Sequence, residues 1–409
     1  MKPTIHLITF ASVFMRQEEE AVRQAHHELL SALDEHFDVH IILKPQHEAF
    51  LQEDHSGQTV LLFIATGGTE GAVVASYDRL PKPLVLLTDG KANSLAASLE
   101  LCCWIRQQKD ECQLIHGQTD LVVEEINRLI QKPAEPFLKG ERIGVIGQPS
   151  DWLVASGVNY TAARERWGVE YVDIPLSRVE TYFKEETADL SADADAFIGR
   201  AEAMIEPTRP EVIEALRLYR ALKRIATEDR LSALTLQCFS LIPTTGTTGC
   251  LALSLLNDEG IIAGCEGDLQ SIFTLLLAKR ATGVDGFMAN PSRIDRQNNT
   301  IILAHCTIGL KQTQRYIIRS HFESLSGVAI QGILPLGPVT IVKCGGADLS
   351  QSVVLSGQLL ENQNDSQKCR TQLLIQLDSQ SVDYFLTRNI GNHHIILQGD
   401  QRQKLQQVL

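Results

Sequence analysis

Two carboxylates stand two residues apart in the segment Gly264–Asp268, which reads Gly-Cys-Glu-Gly-Asp. It directly follows the aliphatic run Gly260–Ala263 and precedes the apolar stretch Leu269–Leu277. Carboxylates at the end of an apolar strand are costly to bury unless each one has a partner. Asp268 has the position of a helix N-cap, a role that needs no ligand. That role does not account for Glu266, so the segment also indicates a cation site.

Histidines near strand ends are candidate partners for these acids. His305 follows the aliphatic run Ile302–Ala304, and His393 and His394 follow a Gly-Asn pair. Adjacent residues of a strand face opposite sides, so at most one of His393 and His394 enters a given site. A lone histidine at a strand end is more often a hydrogen-bonded structural residue. Acids and imidazoles together, however, suit Mn²⁺ or a similar divalent cation.

A second polar loop follows the predicted strand at Arg142–Gly147. Ser150, Asp151 and Trp152 offer a hydroxyl, a carboxylate and a stacking surface, and the carboxyl edge of a parallel sheet is where ligands bind. Trp152 is equally consistent with a filler between domains. The candidate substrate-binding residues are Ser150, Trp152, Asn290 and Arg370. Structural pairing explains Arg370 equally well, as it does the possible supporting residues His116, His321 and Glu323.

The elements that must position these residues alternate in type along most of the chain. Aliphatic runs alternate with amphipathic stretches, a pattern typical of parallel sheets covered by helices. After about residue 312 the pattern changes to short β-rich runs separated by Gly, Asn, Asp and Pro, which predicts an antiparallel sheet or small barrel. We therefore predict an α/β protein with two Rossmann-like doubly wound regions followed by a C-terminal antiparallel β domain. The predicted domains are residues 1–135, 140–311 and 312–409, with a linker at 132–136.

Composition narrows the possible partners. The chain has 409 residues and a formal net charge of -13, which argues against a nucleic-acid surface because phosphate binding needs clustered Lys and Arg. No apolar stretch reaches the ~20 residues that cross a bilayer. The nine cysteines include no CxxC pair, as in a protein with reduced thiols. With no signal-peptide pattern at the start, we expect a cytoplasmic protein without a membrane or nucleic-acid partner.

Six segments together resemble one family, the L-fucose isomerase-related proteins. In chain order they read GCEGD, FMANPSRID, LAHCT, SHFES, CRTQ and GNHH. The stretches Asn93–Glu100 and Pro149–Leu153 are similar to the N-terminal domains of that family, so the resemblance covers nearly the whole chain. More distantly, the chain resembles the L-arabinose isomerases, which share the acidic turn and a C-terminal His-His pair.

The resemblance implies a metal-dependent aldose–ketose isomerase that binds Mn²⁺ and transfers a proton through an enediol. It implies two Rossmann-like regions, a C-terminal β domain and a homo-oligomer, a hexamer or trimer, acting on a small sugar. By this resemblance the metal ligands come from Glu266, Asp268, His393 and His394, and the catalytic groups from Glu266, Asp268 and His305.

One departure from the family pattern concerns a second catalytic acid. True isomerases place it at the end of the strand before the acidic turn, where this chain has Ser240 and no Asp or Glu from Leu234 through Leu256. His305, Cys306 or Asp268 then has to substitute, or the chemistry differs. The alternative is a non-isomerising family member that binds a sugar, either for different sugar chemistry or as a sugar-responsive binding protein.

Overall fold

The computed structural model describes residues 2–12, 18–55, 57–108, 110, 112–130, 136–377 and 382–409. The chain divides into two compact units, Met1–Ala134 and Glu135–Leu409. The linker predicted at 132–136 lies outside the described residues except for Pro136.

The first unit contains a parallel sheet made of short, mostly buried aliphatic strands. The strands are β1 (Thr4–Phe10), β2 (Asp38–Ile42), β3 (Thr59–Ile64), β4 (Leu84–Leu87) and β5 (Cys112–Ile115). Their order across the sheet is β2-β1-β3-β4-β5. The helices are α1 (Glu19–Ala25), α2 (His27–His36), α3 (Lys44–Phe50), α4 (Glu70–Ser76), α5 (Ser94–Gln107) and α6 (Thr119–Ile130).

The sequence pattern predicts one helix over Glu18–Leu33, but the structure has two helices that meet at His26. The backbone of His26 leaves the helical region, with φ at -115° and ψ at 30°. Its imidazole Nδ1 lies 2.7 Å from Asp89 Oδ2, and the side chain is buried. This contact joins residues far apart in the chain, so helical periodicity carries no signal for the break.

The second unit begins with another parallel sheet. Its first strands are β6 (Arg142–Ile146), β7 (Glu170–Ile174), β8 (Ala203–Met204), β9 (Ala233–Leu236) and β10 (Ile262–Cys265). Four of them form the sheet β10-β9-β6-β7. The helices are α7 (Tyr160–Trp167), α8 (Leu176–Glu185), α9 (Ser191–Arg200), α10 (Arg209–Glu228), α11 (Ile242–Thr245), α12 (Cys250–Asp258) and α13 (Leu269–Thr282).

The rest of the second unit is antiparallel and β-rich. Its strands are β11 (Gly286–Asp295), β12 (Thr300–His305), β13 (Arg315–Arg319), β14 (Ala329–Ile333), β15 (Gly337–Gly345), β16 (Gln351–Gln363), β17 (Thr371–Leu377) and β18 (His394–Gln398). Six of these close into the barrel β11-β12-β17-β16-β15-β18, while β13 and β14 join β8 in a separate sheet. Two short helices, α14 (Tyr384–Thr387) and α15 (Arg402–Gln406), complete the unit.

Two parallel sheets followed by an antiparallel β region confirm the predicted α/β class with a C-terminal antiparallel β domain, whereas the Rossmann-like arrangement stays a prediction. Neither sheet of the described residues has the six-stranded Rossmann order 3-2-1-4-5-6. The barrel also starts at Gly286, before the boundary predicted at residue 312, because β11 and β12 pair with the C-terminal strands β18 and β17. A register shift between Pro291 and Arg293 interrupts the alternation that marks a strand in sequence.

Two apolar clusters hold the second unit together. Alternate residues of the barrel strands, such as Phe287, Leu303 and Ile341, share one buried cluster. Strand residues of the opposite set, such as Met288 and Ile395, pack with α13 and the parallel sheet in another. Helix α13 is therefore enclosed between the sheet and the barrel, and its start is where the acidic segment lies.

Among the described helices, no single one is long and apolar enough to cross a membrane. The pair Cys238–Thr245 and Cys250–Asp258, bent by 116°, meets that criterion jointly, by length and composition only.

Candidate functional site

The acidic segment forms a tight turn between β10 and α13. Two consecutive residues have left-handed backbone angles, with φ at 62° for Glu266 and 69° for Gly267. The turn is held from both sides, since Ser150 N–H donates to the Glu266 carbonyl at 2.9 Å and Gly267 N–H donates to the Leu236 carbonyl at 3.0 Å. A non-glycine residue in this conformation is strained, and such strain is typical of functional sites.

Glu266, His305 and His393 converge at this turn. Glu266 Oε1 lies 3.5 Å from His393 Nε2 and 3.8 Å from His305 Nε2. One ligand atom from each of the three residues lies within 4.8 Å of the other two, and they are the metal-ligand group found among the described residues. The strands explain the convergence, because β12 ends at His305, β18 starts just after His393, and both strands border β11.

The second carboxylate oxygen of Glu266 has a different partner. Trp152 Nε1–H donates to Glu266 Oε2 at 2.6 Å. The indole packs edge-to-face against Phe239, with ring centroids 5.3 Å apart, yet 55% of Trp152 is exposed. The tryptophan therefore orients the carboxylate, with Oε1 toward the imidazoles, while keeping an aromatic surface open to solvent.

Asp268 lies behind this group. It is fully buried and caps α13, because its Oδ1 accepts from Ser271 N–H at 2.9 Å. Its Oδ2 accepts from the Ser271 hydroxyl at 2.8 Å and lies 2.8 Å from His393 Nδ1. The Lys343 ammonium, also fully buried, lies 3.9 Å from Oδ2. Asp268 thus supports His393 and is not one of the converging ligand residues.

The charges of these groups shift their pKa values strongly. Burial raises the pKa of Glu266, but the imidazoles of His305 and His393 outweigh burial and hold that pKa well below its usual range. Burial likewise opposes ionisation of Asp268, whose pKa Lys343 and His393 bring well below its usual range. Although burial disfavours the imidazolium, Asp268 and Glu266 raise the pKa of His393 to about 9. Both carboxylates are therefore ionised at neutral pH.

The residues fit a divalent cation. His393 Nε2 is buried and has no hydrogen-bond partner, which is unusual for a polar atom in a protein interior. It faces a carboxylate oxygen and a second imidazole nitrogen, the mixed oxygen and nitrogen donors that suit Mn²⁺ or Zn²⁺. The Asp268 carboxylate on the other ring nitrogen is the usual partner of a metal-bound histidine.

His394 faces away from this group. Its Nε2 lies 3.0 Å from the Tyr384 hydroxyl and its Nδ1 lies 2.9 Å from the Asn392 carbonyl oxygen. Burial lowers the pKa of His394 to about 3, so the ring stays neutral. The structure thus separates the two adjacent histidines, as strand geometry predicts, and places His393 on the side of Glu266.

The predicted substrate-binding residues have different surroundings. The Ser150 hydroxyl and Asn290 Oδ1 are buried atoms without a hydrogen-bond partner, and Ser150 also contacts the Glu266 backbone. The Arg370 guanidinium donates to the Ser320 carbonyl at 2.8 Å and to the Ser320 hydroxyl at 3.1 Å. Ser150 and Trp152 therefore lie at the ligand group, and Arg370 has the structural pairing that was the alternative.

The remaining sequence candidates are not among the three converging ligand residues. His116 belongs to the first unit and bonds the Thr88 carbonyl through Nδ1. His321 Nδ1 lies 3.0 Å from the Ser324 hydroxyl, and Glu323 is exposed. Ser240 is exposed in the segment Cys238–Leu241, so the strand end that was expected to carry a second acid presents a hydroxyl to solvent.

Sequence reasoning missed Lys343 and Ser271. Lys343 lies in the run Val339–Cys344, where it is the one charged residue among aliphatic neighbours. Lysine is almost never fully buried unless it is paired. A lysine inside a buried strand therefore predicts that a buried acid lies beside it, although the strand sequence does not show that this acid is Asp268.

Stability of the metal-free protein should depend on pH through His393. Its folded pKa of about 9 exceeds the ordinary value of 6.5, so the folded state binds the proton more tightly than the unfolded state. The resulting stabilisation is complete below about pH 6.5 and is lost as the pH rises through 9. Thermal unfolding in EDTA should show a wild-type advantage over His393→Gln that shrinks across this interval. An advantage that stays constant would contradict the assignment.

Gly267→Ala should destabilise the protein more than Gly246→Ala. Both glycines have φ near 70°, but an added Cβ at Gly246 meets no atom within 4 Å, whereas at Gly267 it lies 2.9 Å from Pro149 Cα and overlaps the Gln148 carbonyl. Left-handed strain alone costs about 1–2 kcal/mol, and the overlap adds roughly 1–3 kcal/mol. Chemical denaturation of both variants measures the difference, and equal losses would show that the turn has room to relax.

Sulfoquinovose isomerases are among the proteins similar to this chain. The one from Clostridium sp. (strain MSTE9) is 29% identical over 133 residues, which are 32% of this chain and 29% of that protein. The one from Alkalicoccus urumqiensis is 21% identical over 316 residues, 73% of this chain and 71% of that protein. The one from Priestia aryabhattai is 23% identical over 173 residues, 41% of this chain and 38% of that protein. No protein-family model matches the chain.

These matches are low in identity and two of them are short. The matched region spans less than a third of the Clostridium protein and less than half of the Priestia protein. The prediction of an enzyme that isomerises a sugar agrees with the name that these relatives share. The predicted fucose or arabinose type has no counterpart in that name.

Proposed function

We propose that this protein is an aldose–ketose isomerase that holds a divalent cation with Glu266, His305 and His393. The observation that carries the proposal is the convergence of one carboxylate and two imidazoles on a point where His393 Nε2 has no other partner. The similarity to sulfoquinovose isomerases and the resemblance to the fucose and arabinose isomerases support the reaction class. Mn²⁺ is the cation we expect, from the donor set and from that resemblance.

Aldose–ketose conversion moves one proton between C2 and C1 of the open-chain sugar and a second proton between the oxygens on those carbons. A bound divalent cation supplies polarisation of the oxygens on those carbons. Glu266 is the ionised carboxylate of the group, and because its Oε1 faces the imidazoles with which it would hold the cation, we assign the transfer of the proton between C2 and C1 to its other oxygen, Oε2. Trp152 holds Oε2 and so directs Oε1 toward the imidazoles, while Asp268 holds His393 from behind.

The remaining residues at the turn give the sugar its binding surface. The exposed indole of Trp152 offers an apolar face on which a sugar can stack. The Ser150 hydroxyl is buried and has no hydrogen-bond partner, and we assign to it a hydrogen bond that forms when the sugar binds. Sulfoquinovose is the first sugar to test, because it is the one that the relatives' name contains. The homo-oligomer and the cytoplasmic location expected from the sequence remain part of the proposal.

Glu266→Gln should strongly reduce isomerisation. Wild-type protein with Mn²⁺ should convert one member of a panel of sulfoquinovose, L-fucose, L-arabinose and other aldoses to its ketose, as measured by NMR. Loss of the transferring carboxylate should lower kcat/KM about 10²–10⁴-fold. Glu165→Gln, a matched change at an exposed position of α7, should keep full activity. An active Glu266→Gln enzyme would contradict the assignment.

A non-isomerising sugar-binding protein is the second candidate function. One observation favours it, since the ligand group among the described residues holds a single carboxylate and Ser240 supplies none. Calorimetry with Mn²⁺ and the same sugars separates the two. Binding of metal and sugar without turnover supports this second function, and turnover excludes it.

A further inference from the structure

A buried chain of hydrogen bonds runs from Lys343 to His393. The Lys343 ammonium on β15 donates to the Ser271 hydroxyl at 2.9 Å, and that hydroxyl donates to Asp268 Oδ2 at 2.8 Å. The same Oδ2 lies 2.8 Å from His393 Nδ1. All four side chains are 0% exposed, so bulk water does not compete for these hydrogen bonds.

The chemistry of the first member fixes the direction of every bond in the chain. An ammonium group donates and cannot accept. The Ser271 oxygen therefore accepts from Lys343, and its single hydrogen points to Asp268. A carboxylate only accepts, so the atom that faces Asp268 Oδ2 from the histidine must carry the hydrogen. That atom is Nδ1, which leaves the lone pair of neutral His393 on Nε2, the atom that faces Glu266.

We propose that Lys343 is a positioning residue that fixes the tautomer of His393 through Ser271 and Asp268. This inference rests on the proposed function, because it gives the buried lysine a role at the same metal-ligand group. Lys343 touches neither Glu266 nor His305 in any described hydrogen bond or ion pair. It acts on His393 through Asp268, which it reaches through the Ser271 hydroxyl and directly as an ion pair at 3.9 Å.

The surroundings of Lys343 support a specific role. Both faces of β15 are apolar at this point, since Val342 and Cys344 lie in one buried cluster and Ile341 lies in the other, so an aliphatic residue would suit the position by packing alone. Burial of an ammonium group is costly unless it is paired and hydrogen-bonded. The backbone also leaves room for it, since a Cβ at Gly391 would lie 3.2 Å from Lys343 Cε.

The test is Mn²⁺ binding by the full-length protein, measured by calorimetry. Lys343→Met removes the ammonium and keeps the side-chain volume, and Ser271→Ala breaks the relay while keeping the backbone N–H that Asp268 caps. Each should weaken Mn²⁺ binding about 10–100-fold, the usual effect of losing an outer partner of a metal ligand. Because both residues act on His393 through the same Asp268 carboxylate, their effects should be coupled, and the loss in the double variant should be smaller than the sum of the two single losses.

Two controls separate this role from general support of the fold. Ser271→Thr keeps the hydroxyl and should keep Mn²⁺ binding within a few-fold of wild type, which simple packing at that position does not predict. Lys279 lies on α13, the helix that carries Ser271, and pairs with Asp285. Lys279→Met should therefore leave Mn²⁺ binding unchanged. Thermal unfolding in EDTA identifies any variant that fails to fold, and Ser271→Ala then carries the test without Lys343→Met.

The outcomes are distinct. Wild-type affinity in both Lys343→Met and Ser271→Ala, or losses that add in the double variant, would overturn the role of Lys343 and leave the proposed function standing. Failure of the wild-type protein to bind Mn²⁺ or another divalent cation would overturn the proposed metal site and this inference together.

Discussion

Burial of two carboxylates at the end of one strand is the constraint on which the rest of the site depends. Glu266 and Asp268 are 9% and 0% exposed, and a buried charge without partners is strongly destabilising. Each carboxylate therefore has its own set of partners. Asp268 has a helix terminus, a hydroxyl, an imidazole and a buried ammonium, whereas Glu266 has an indole and two imidazoles. The unequal sets give one acid a supporting role and leave the other with an open oxygen.

The two architectures of the second unit each supply part of that compensation. The parallel sheet and α13 carry the acids, while the barrel carries His305, His393 and Lys343. Residues Leu269–Ala278 of α13 are all buried between them. The metal-ligand group therefore lies where the barrel packs on the helix, and the distances between its ligand atoms depend on that packing.

Much of this site could be predicted from the sequence. The rest could not, because it depends on contacts between residues far apart in the chain. An aliphatic run, an acidic turn and an apolar helix predict a strand end that positions Glu266, and the N-cap position of Asp268 follows from the same pattern. Periodicity could state that only one of His393 and His394 faces the site, but the choice depends on β18 pairing with β11. The closure of β11 and β12 into the barrel is equally non-local. Lys343 stands out in the sequence as a charged residue within an apolar strand, but the sequence does not identify its partner Asp268.

The central claim is that Glu266, His305 and His393 hold one divalent cation. A crystal structure of the Mn²⁺-soaked protein, with anomalous data at the manganese edge, tests it most directly. We predict one strong anomalous peak about 2.0–2.3 Å from Glu266 Oε1, His305 Nε2 and His393 Nε2, with Asp268 outside the coordination sphere and still bonded to His393 Nδ1. A peak bound by Asp268 or His394 instead, or no peak at this turn, would contradict the claim.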